Sequence, residues 1–344
     1  MPDPTVTHAG RSARPVLGSV DELIAGATER SPLDNEDGKS GALLERVVID
    51  GEPFVLKHID VDDDWTLRAS GALGGTTLEL WRRGVLDRLP DCINQPIVSV
   101  AHDDPDGIGA RGVAVLMRDV GEWLVPSGDE PIPQAQHLGF LDHMAALHAT
   151  FWDAGDEIDL MPMGNRYLLL SPWLALTEAA IGSGAFIPRL VGQGWERFTA
   201  AAPAAAAVVM PLAWDPSPLV AAYGATPTTL LHGNWKFGNL GTDPAGRTVV
   251  IDWEDPGRGP ATIELAWYLA INSTRLPQSK EDAIDAYRSS LERHGVDTGP
   301  WWDHQLALAL LGGLVHFGWE KAFGGHDDEM AWWEGRAVAA ADLL

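Results

Sequence analysis

The 344-residue chain has a single cysteine, Cys92, so it forms no intrachain disulfide, and a cysteine-based metal site is not expected. Basic residues are scarce: 24 Lys and Arg stand against 49 Asp and Glu, a formal net charge of −25. Nucleic-acid binding relies on clustered cations that displace counterions from phosphate, and the acidic excess runs along the whole chain, so a nucleic-acid partner is not expected. Long apolar runs are also missing. The longest near the C-terminus, Leu306 to Val315, is about half of the roughly 20 residues a membrane helix needs. The opening stretch, MPDPTVTHAGRSARP, holds no apolar segment of signal-peptide length. The expectation is a cytoplasmic protein with no membrane partner.

What is present points to a folded protein. A hydrophobic share of 45% with 15 Trp supplies more apolar surface than a disordered chain carries. At about 150 residues per domain the length allows two domains or lobes. Residues 1–16 read as a loose polar arm. Ser19-Val-Asp-Glu22 has the capping-box spacing, in which each end satisfies an unpaired amide of the other, and predicts a short helix through about Arg30. Two strand-like runs, Ala42 to Ile49 and Pro53 to Ile59, flank Asp50-Gly51, a dipeptide that tolerates the positive φ of a tight hairpin turn. Helical spacing of Leu78, Leu80, Trp81, Val85, Leu86 and Leu89 predicts a helix over 76–89, and Val113 to Met117 reads as a third strand. Beyond about residue 125 helices dominate: His137 to Trp152, Thr262 to Ala270, Ser279 to His294 and Asp303 to Ala322. The alanine-rich Thr199 to Val209 reads as helix or connector. A β pair, Thr228 to Leu231 with Arg247 to Ile251, interrupts the helices. The pattern is α+β with a smaller sheet-bearing lobe at 17–120, a hinge at 121–133 and a mainly helical lobe at 134–344.

The chemistry concentrates in His232-Gly-Asn-Trp-Lys-Phe-Gly-Asn239 and in Val249-Val-Ile-Asp252-Trp-Glu254. Apolar strands lead into both clusters, and a hairpin between them brings Asn239 and Asp252 to one end. An amide carbonyl beside a carboxylate suits Mg²⁺, which takes hard oxygen ligands and usually only one or two from protein. Each residue taken alone is as well explained by a turn or a hairpin cap.

Together, His232, Gly233, Asn239, Ile251, Asp252, Trp253 and Glu254 resemble the H-G-D-x-x-x-x-N and I-D-W/F-E patterns of the aminoglycoside phosphotransferase and choline kinase group of small-molecule kinases. The resemblance covers most of the chain, and the Trp235 to Gly241 wording, W-K-x-G-N-L-G, looks like a bacterial branch of that group. It implies a protein-kinase-like bilobal fold, with a small N-terminal antiparallel-sheet lobe and a larger mainly helical C-terminal lobe. ATP, or another nucleoside triphosphate, would lie between the lobes with Mg²⁺ on Asn239 and Asp252. The acceptor would be a hydroxyl-bearing small molecule, such as an amino sugar or another alcohol. Lys57, in Phe54-Val-Leu-Lys57, matches the phosphate-pairing lysine, and Glu79 on the next helix is its expected partner. Ser40 and Gly41 fall where a phosphate-covering loop belongs, and Met117 to Asp119 where a hinge offers backbone groups to adenine. His232 and Glu254 are expected to support the loop, with Glu264 in the place of a bracing aspartate. Asp255, Trp267 and Tyr268 are candidates for the acceptor pocket, although helix packing is the better explanation of both aromatics, as it is of Trp301 and Trp302. His143 and His148, five apart, miss the spacing of a metal pair.

Position 234 departs from the pattern, since the family's base is an aspartate and this chain has Asn234. An amide orients a hydroxyl but takes up no proton near neutral pH. A positioned base contributes about 10² to 10⁴ in rate, so poor activity is expected. The readings left open are an engineered loss of function, a natural nucleotide-binding pseudokinase, and an enzyme whose base lies elsewhere, at Asp255 or Glu254. A metal-dependent hydrolase built on Asp252, Glu254 and Asp255 is a reading from another class.

Overall fold

The structure is a computed structural model describing residues 14–33, 41–71, 75–103, 112–154, 160–324 and 327–344. Ser40 and most of the 1–16 arm lie outside the described residues. Ser19 caps the first helix as its spacing predicts, its hydroxyl accepting from the Glu22 amide. That helix, α1 (Val20–Leu23), is a single turn. It does not reach Arg30: Gly26 breaks it at φ 85°, and β1 (Ala27–Pro32) follows as a strand. Then come β2 (Leu43–Ile49) and β3 (Glu52–Asp60), joined at Asp50-Gly51 with both residues at positive φ, the turn their chemistry predicts.

Two short helices, α2 (Trp65–Ser70) and α3 (Thr76–Arg82), cross to β4 (Ile93–Asn94), β5 (Ile97–Asp103) and β6 (Gly112–Arg118). The helix expected over 76–89 therefore breaks: Gly84 turns left-handed and Val85–Arg88 forms a separate 3₁₀ turn. Strand β5 carries no strong alternation and was not legible in the sequence. The antiparallel sheet has the order β1-β2-β3-β6-β5, and its register puts Lys57 opposite Leu44 and Val115.

A linker leads to the helical part: α4 (Gln134–Thr150), α5 (Met163–Leu168), α6 (Pro172–Ile181), α7 (Phe186–Ala201), α8 (Pro203–Trp214) and α9 (Ser217–Ala222). The alanine-rich stretch is thus helix, split by Ala202 and Pro203. Next are β7 (Thr229–Leu231), β8 (Leu240–Thr242), β9 (Thr248–Val250) and β10 (Gly257–Gly259). Helices α10 (Ala261–Ile271), α11 (Lys280–Arg293), α12 (Trp302–Lys321) and α13 (Asp327–Ala339) close the chain. Helix α12 is apolar on nearly all sides, and it is correspondingly surrounded by α7, α10 and α13. No helix among the described residues is long and apolar enough to cross a membrane.

The expected β pair is re-partnered. Strand β7 pairs with β10, while β9 lies between β8 and the N-terminal β4, in parallel with the latter. The short loop permits β8–β9 as the local hairpin, closed by Asp243, whose carboxylate accepts from the Ala245 and Arg247 amides. Two backbone links tie the halves together: β4 to β9, and the linker to β8 through the Val125 amide on the Leu240 carbonyl at 2.8 Å. One apolar core runs through both, from Ile59, Leu80 and Val115 to Phe140, Trp235 and Leu311. A small second core lies under α1 on the other sheet face, around Leu56, Ala114 and Leu116.

Gly241 is where the linker presses closest, since a Cβ there would lie 2.3 Å from the Trp123 carbonyl oxygen. Gly241→Ala is expected to lower unfolding free energy by about 1–3 kcal/mol, the usual range for an overpacked site, read from urea denaturation against wild type.

Candidate functional site

The hairpin β8–β9 makes the site. Asn239 ends a 3₁₀ turn just before β8, Ile251 follows β9, and the Ile251 amide donates to the Asn239 carbonyl at 3.1 Å. Asp252 is the next residue, held at φ 69°, a left-handed conformation that aspartate tolerates better than most side chains. Its carboxylate collects three donors. Lys57 Nζ lies 2.6 Å from Oδ1, Asn234 Nδ2 donates to Oδ2 at 3.0 Å, and Asn239 Nδ2 donates to the same oxygen at 3.2 Å. Lys57 also ion-pairs with Glu254. Strand β3 and the segment after β9 thus meet at one ammonium group.

Burial by itself would lower the Lys57 pKa, but the charges of Asp252 and Glu254 outweigh it and hold the ammonium well above its usual range. Burial likewise opposes ionisation of Asp252, and the Lys57 charge overcomes it, so the carboxylate stays charged well below ordinary pH. Glu254 goes the other way: burial, reinforced by repulsion from Asp252, pushes it up despite Lys57. Asp255 is pushed up to about 6, chiefly by burial and then by the charge of Asp252.

The loop ahead of the hairpin is braced from below. Glu264 on α10 accepts the Gly233 amide on Oε1 at 2.6 Å and the His232 amide on Oε2 at 3.0 Å. His148 Nε2 donates to that same Oε2 at 2.9 Å, and its Nδ1 meets the Tyr287 hydroxyl at 2.5 Å. The extra methylene of Glu264, relative to an aspartate, still lets both oxygens reach the loop. His232 Nε2 donates to the Ile251 carbonyl at 3.1 Å, while its Nδ1 accepts the Asn234 amide at 3.3 Å, and the ring stands edge-on to Trp253 and Trp235. Both ring nitrogens are therefore occupied, and the imidazole anchors two segments.

Several expected residues are placed elsewhere. Glu79 does not pair with Lys57; its carboxylate bonds Arg82 and Arg83 on its own helix. The residue two positions earlier explains why α3 is nonetheless at the site: Thr77 Oγ1 donates to the Trp253 carbonyl at 2.6 Å. Tyr268 is fully buried with its hydroxyl 2.7 Å from His137 Nδ1, and Trp267 is packed against His316 and Phe317, so both belong to the core and not to an acceptor pocket. Trp301 and Trp302 are buried against Trp152, Tyr287 and each other. The Asp119 carboxylate takes Arg46 and the Gly121 amide, Met117 packs half-buried against the core, and Gly41 precedes β2 against the Asp63 main chain.

Sequence reasoning missed Arg166. Its buried guanidinium donates to the Gly233 carbonyl at 2.8 Å and to the Asp255 carbonyl at 2.6 Å, clamping the loop to the segment beyond Asp252. The packing there is so tight that a Cβ on Gly233, itself at φ 90°, would lie 1.9 Å from the Asp255 carbonyl oxygen. Nothing local to Asn165-Arg166-Tyr167 signals this role.

A sheet-bearing lobe hydrogen-bonded to a helical lobe, with a lysine, an aspartate and two asparagines converging between them, defines the class. The model of the phosphotransferase enzyme family matches residues 50–297, and the chain belongs to that family. Among solved structures it is similar to the microcompartment-associated aminopropanol kinase, at 13% identity over 94% of each chain with a TM-score of 0.54. It is also similar to a thermostable mutant of aminoglycoside phosphotransferase APH(4)-Ia, at 14% identity over 94% of this chain and 97% of that one, TM-score 0.48. An aminoglycoside-3′-phosphotransferase of type VIII shares 18% identity over 86% and 95%, TM-score 0.45. No curated protein matches the sequence.

Glu264→Gln replaces an acceptor of three donors by a group with one acceptor oxygen, and is expected to cost about 3 kcal/mol. Its folded-state pKa lies below the ordinary glutamate value. That stability is therefore complete above the ordinary value and lost as pH falls through the folded one. Denaturation curves of wild type and variant should differ most at neutral pH and converge under acid.

Proposed function

We propose that the chain transfers the γ-phosphoryl group of ATP, with Mg²⁺, to a hydroxyl of a small molecule. The observation carrying this reading is the convergence on Asp252 of Lys57 at 2.6 Å and Asn239 at 3.2 Å. Phosphoryl transfer asks little covalent chemistry of a protein; it needs fixed positive charge on the phosphates and a positioned acceptor.

The residues present suit Mg²⁺. Asp252 offers a charged carboxylate, and Asn239, whose amide nitrogen is already engaged, has its carbonyl oxygen left for a hard cation. When bound there, the metal would neutralise charge on the phosphate oxygens. Lys57 would hold phosphate oxygens from the sheet side. Asn234 spends its amide on Asp252, so it keeps the metal-binding carboxylate aimed and supplies no base. Arg166 and Glu264 hold the loop at both ends of its first turn. An acceptor carrying an amino group suits the buried acids around the site, and amino sugars and amino alcohols are the first classes to test. A nucleotide-binding module without turnover is the second reading, favoured by the amide at 234.

ADP release measured over a panel of amino sugars and amino alcohols is expected to show Mg²⁺-dependent turnover with at least one of them. Asp252→Asn should reduce it by about 10²- to 10³-fold, as removal of a key electrostatic group does. Asn234→Asp should raise it at least about tenfold by restoring a base at the loop. Nucleotide binding by calorimetry with no turnover from either the native or the Asn234→Asp form would establish the second reading instead.

A further inference from the structure

If Asn234 takes up no proton, another group must, and the site's acids differ sharply in how free they are. We propose that Asp255 is the catalytic base of this chain, receiving the acceptor hydroxyl's proton through its unpartnered Oδ1. The assignment rests on the phosphotransferase reading above.

Elimination and geometry agree. Glu254 is ion-paired with Lys57, and Asp252 holds Lys57 and two asparagine amides. Both nitrogens of His232 are engaged. Asp64, on the sheet lobe, uses Oδ1 to cap α2 through the Thr66 amide and hydroxyl; its buried Oδ2 is also unpartnered, but no bond joins Asp64 to loop 232–239 or to its Arg166 clamp among the described residues. The Asp255 carboxylate is buried, and its Oδ1 has no hydrogen-bond partner among the described residues. Leaving a buried carboxylate oxygen unmatched is costly, and the acceptor hydroxyl would supply the missing donor. Position is fixed by Arg166, whose two donors join residue 255 to residue 233, immediately before the family's base position. The charged groups around Asp255 are Asp252, Asp64, Arg166 and Lys57, with Glu254 adjacent in sequence. Burial, followed by the Asp252 charge, raises the carboxyl to about 6, so it is ionised at neutral pH and basic enough to accept a proton.

The step balances. The acceptor oxygen bonds to the γ-phosphorus as the bridging bond to ADP breaks, the hydroxyl proton passes to Asp255 Oδ1, and the carboxyl later releases it to water.

Five forms test the assignment: the native chain, Asp255→Asn, Asp255→Glu, Asn234→Asp and the double variant of Asp255→Asn with Asn234→Asp. Asp255→Asn is expected to lower kcat about 10²-fold with ATP affinity by calorimetry unchanged, and to abolish the fall in kcat that the native chain shows below pH about 6. Asp255→Glu, which keeps a carboxylate, should recover part of the loss. In the Asn234→Asp background, where a base is back on the loop, removing Asp255 should cost less than about threefold. Equal kcat for native and Asp255→Asn across pH would overturn the assignment alone. So would a loss of ATP affinity or thermal stability large enough to account for the lower rate. Absence of turnover in all five forms would overturn the phosphotransferase reading and this assignment with it.

Discussion

One buried ammonium group organises this molecule. Lys57 sits on the middle of a sheet strand, and its partners Asp252 and Glu254 sit beyond a hairpin almost two hundred residues later. Neither side is stable there alone: burying a charge without its counterpart costs several kcal/mol. The two lobes are therefore held in register at this ion pair. Backbone links from β4 to β9 and from the linker to β8 fix the same approach by hydrogen bonds that carry no charge.

The 232–239 loop is held for a different reason. Its first two amides end on Glu264, its Gly233 carbonyl ends on Arg166, and its histidine spans from Asn234 to Ile251. The bonds to Glu264 and Arg166 are buried, where competing water is absent and an unpaired polar group is expensive, and those of His232 are partly buried. The network leaves very little polar capacity unused near Asp252. Against that background the unmatched Oδ1 of Asp255 stands out, sharing that condition among nearby groups with Asp64 Oδ2 and the Trp235 indole nitrogen.

Much of the site was legible as chemistry. Asn239 and Asp252 were expected to converge and do, Lys57 was expected on the strand after a hairpin and is there, and Glu264 was expected to brace the loop and reaches it with both oxygens. The errors share a cause. Glu79 has the right type and roughly the right place, but Gly75 and Gly84 leave α3 only two turns long, and the adjacent arginines Arg82 and Arg83 take its carboxylate. Trp267 and Tyr268 have faces that suit a ligand, yet α10 is enclosed on all sides: His316 and Phe317 of α12 take the first ring, and His137 and Phe237 take the second. Arg166 lacks any local signal, since its two acceptors are main-chain carbonyls that any residue type supplies.

Turns, caps and the oxygen chemistry of two short segments were determined by the sequence alone. The Asp50-Gly51 turn, the Ser279 cap and the donor sets at 232–239 and 252–255 depend on residues within a few positions of one another. Which strand pairs with which, which acid the lysine takes and which carboxylate is left free were decided only in three dimensions. Those outcomes are settled by competition among partners distant in the chain, and a donor's choice between them follows distance and burial, quantities that exist only once the lobes have packed.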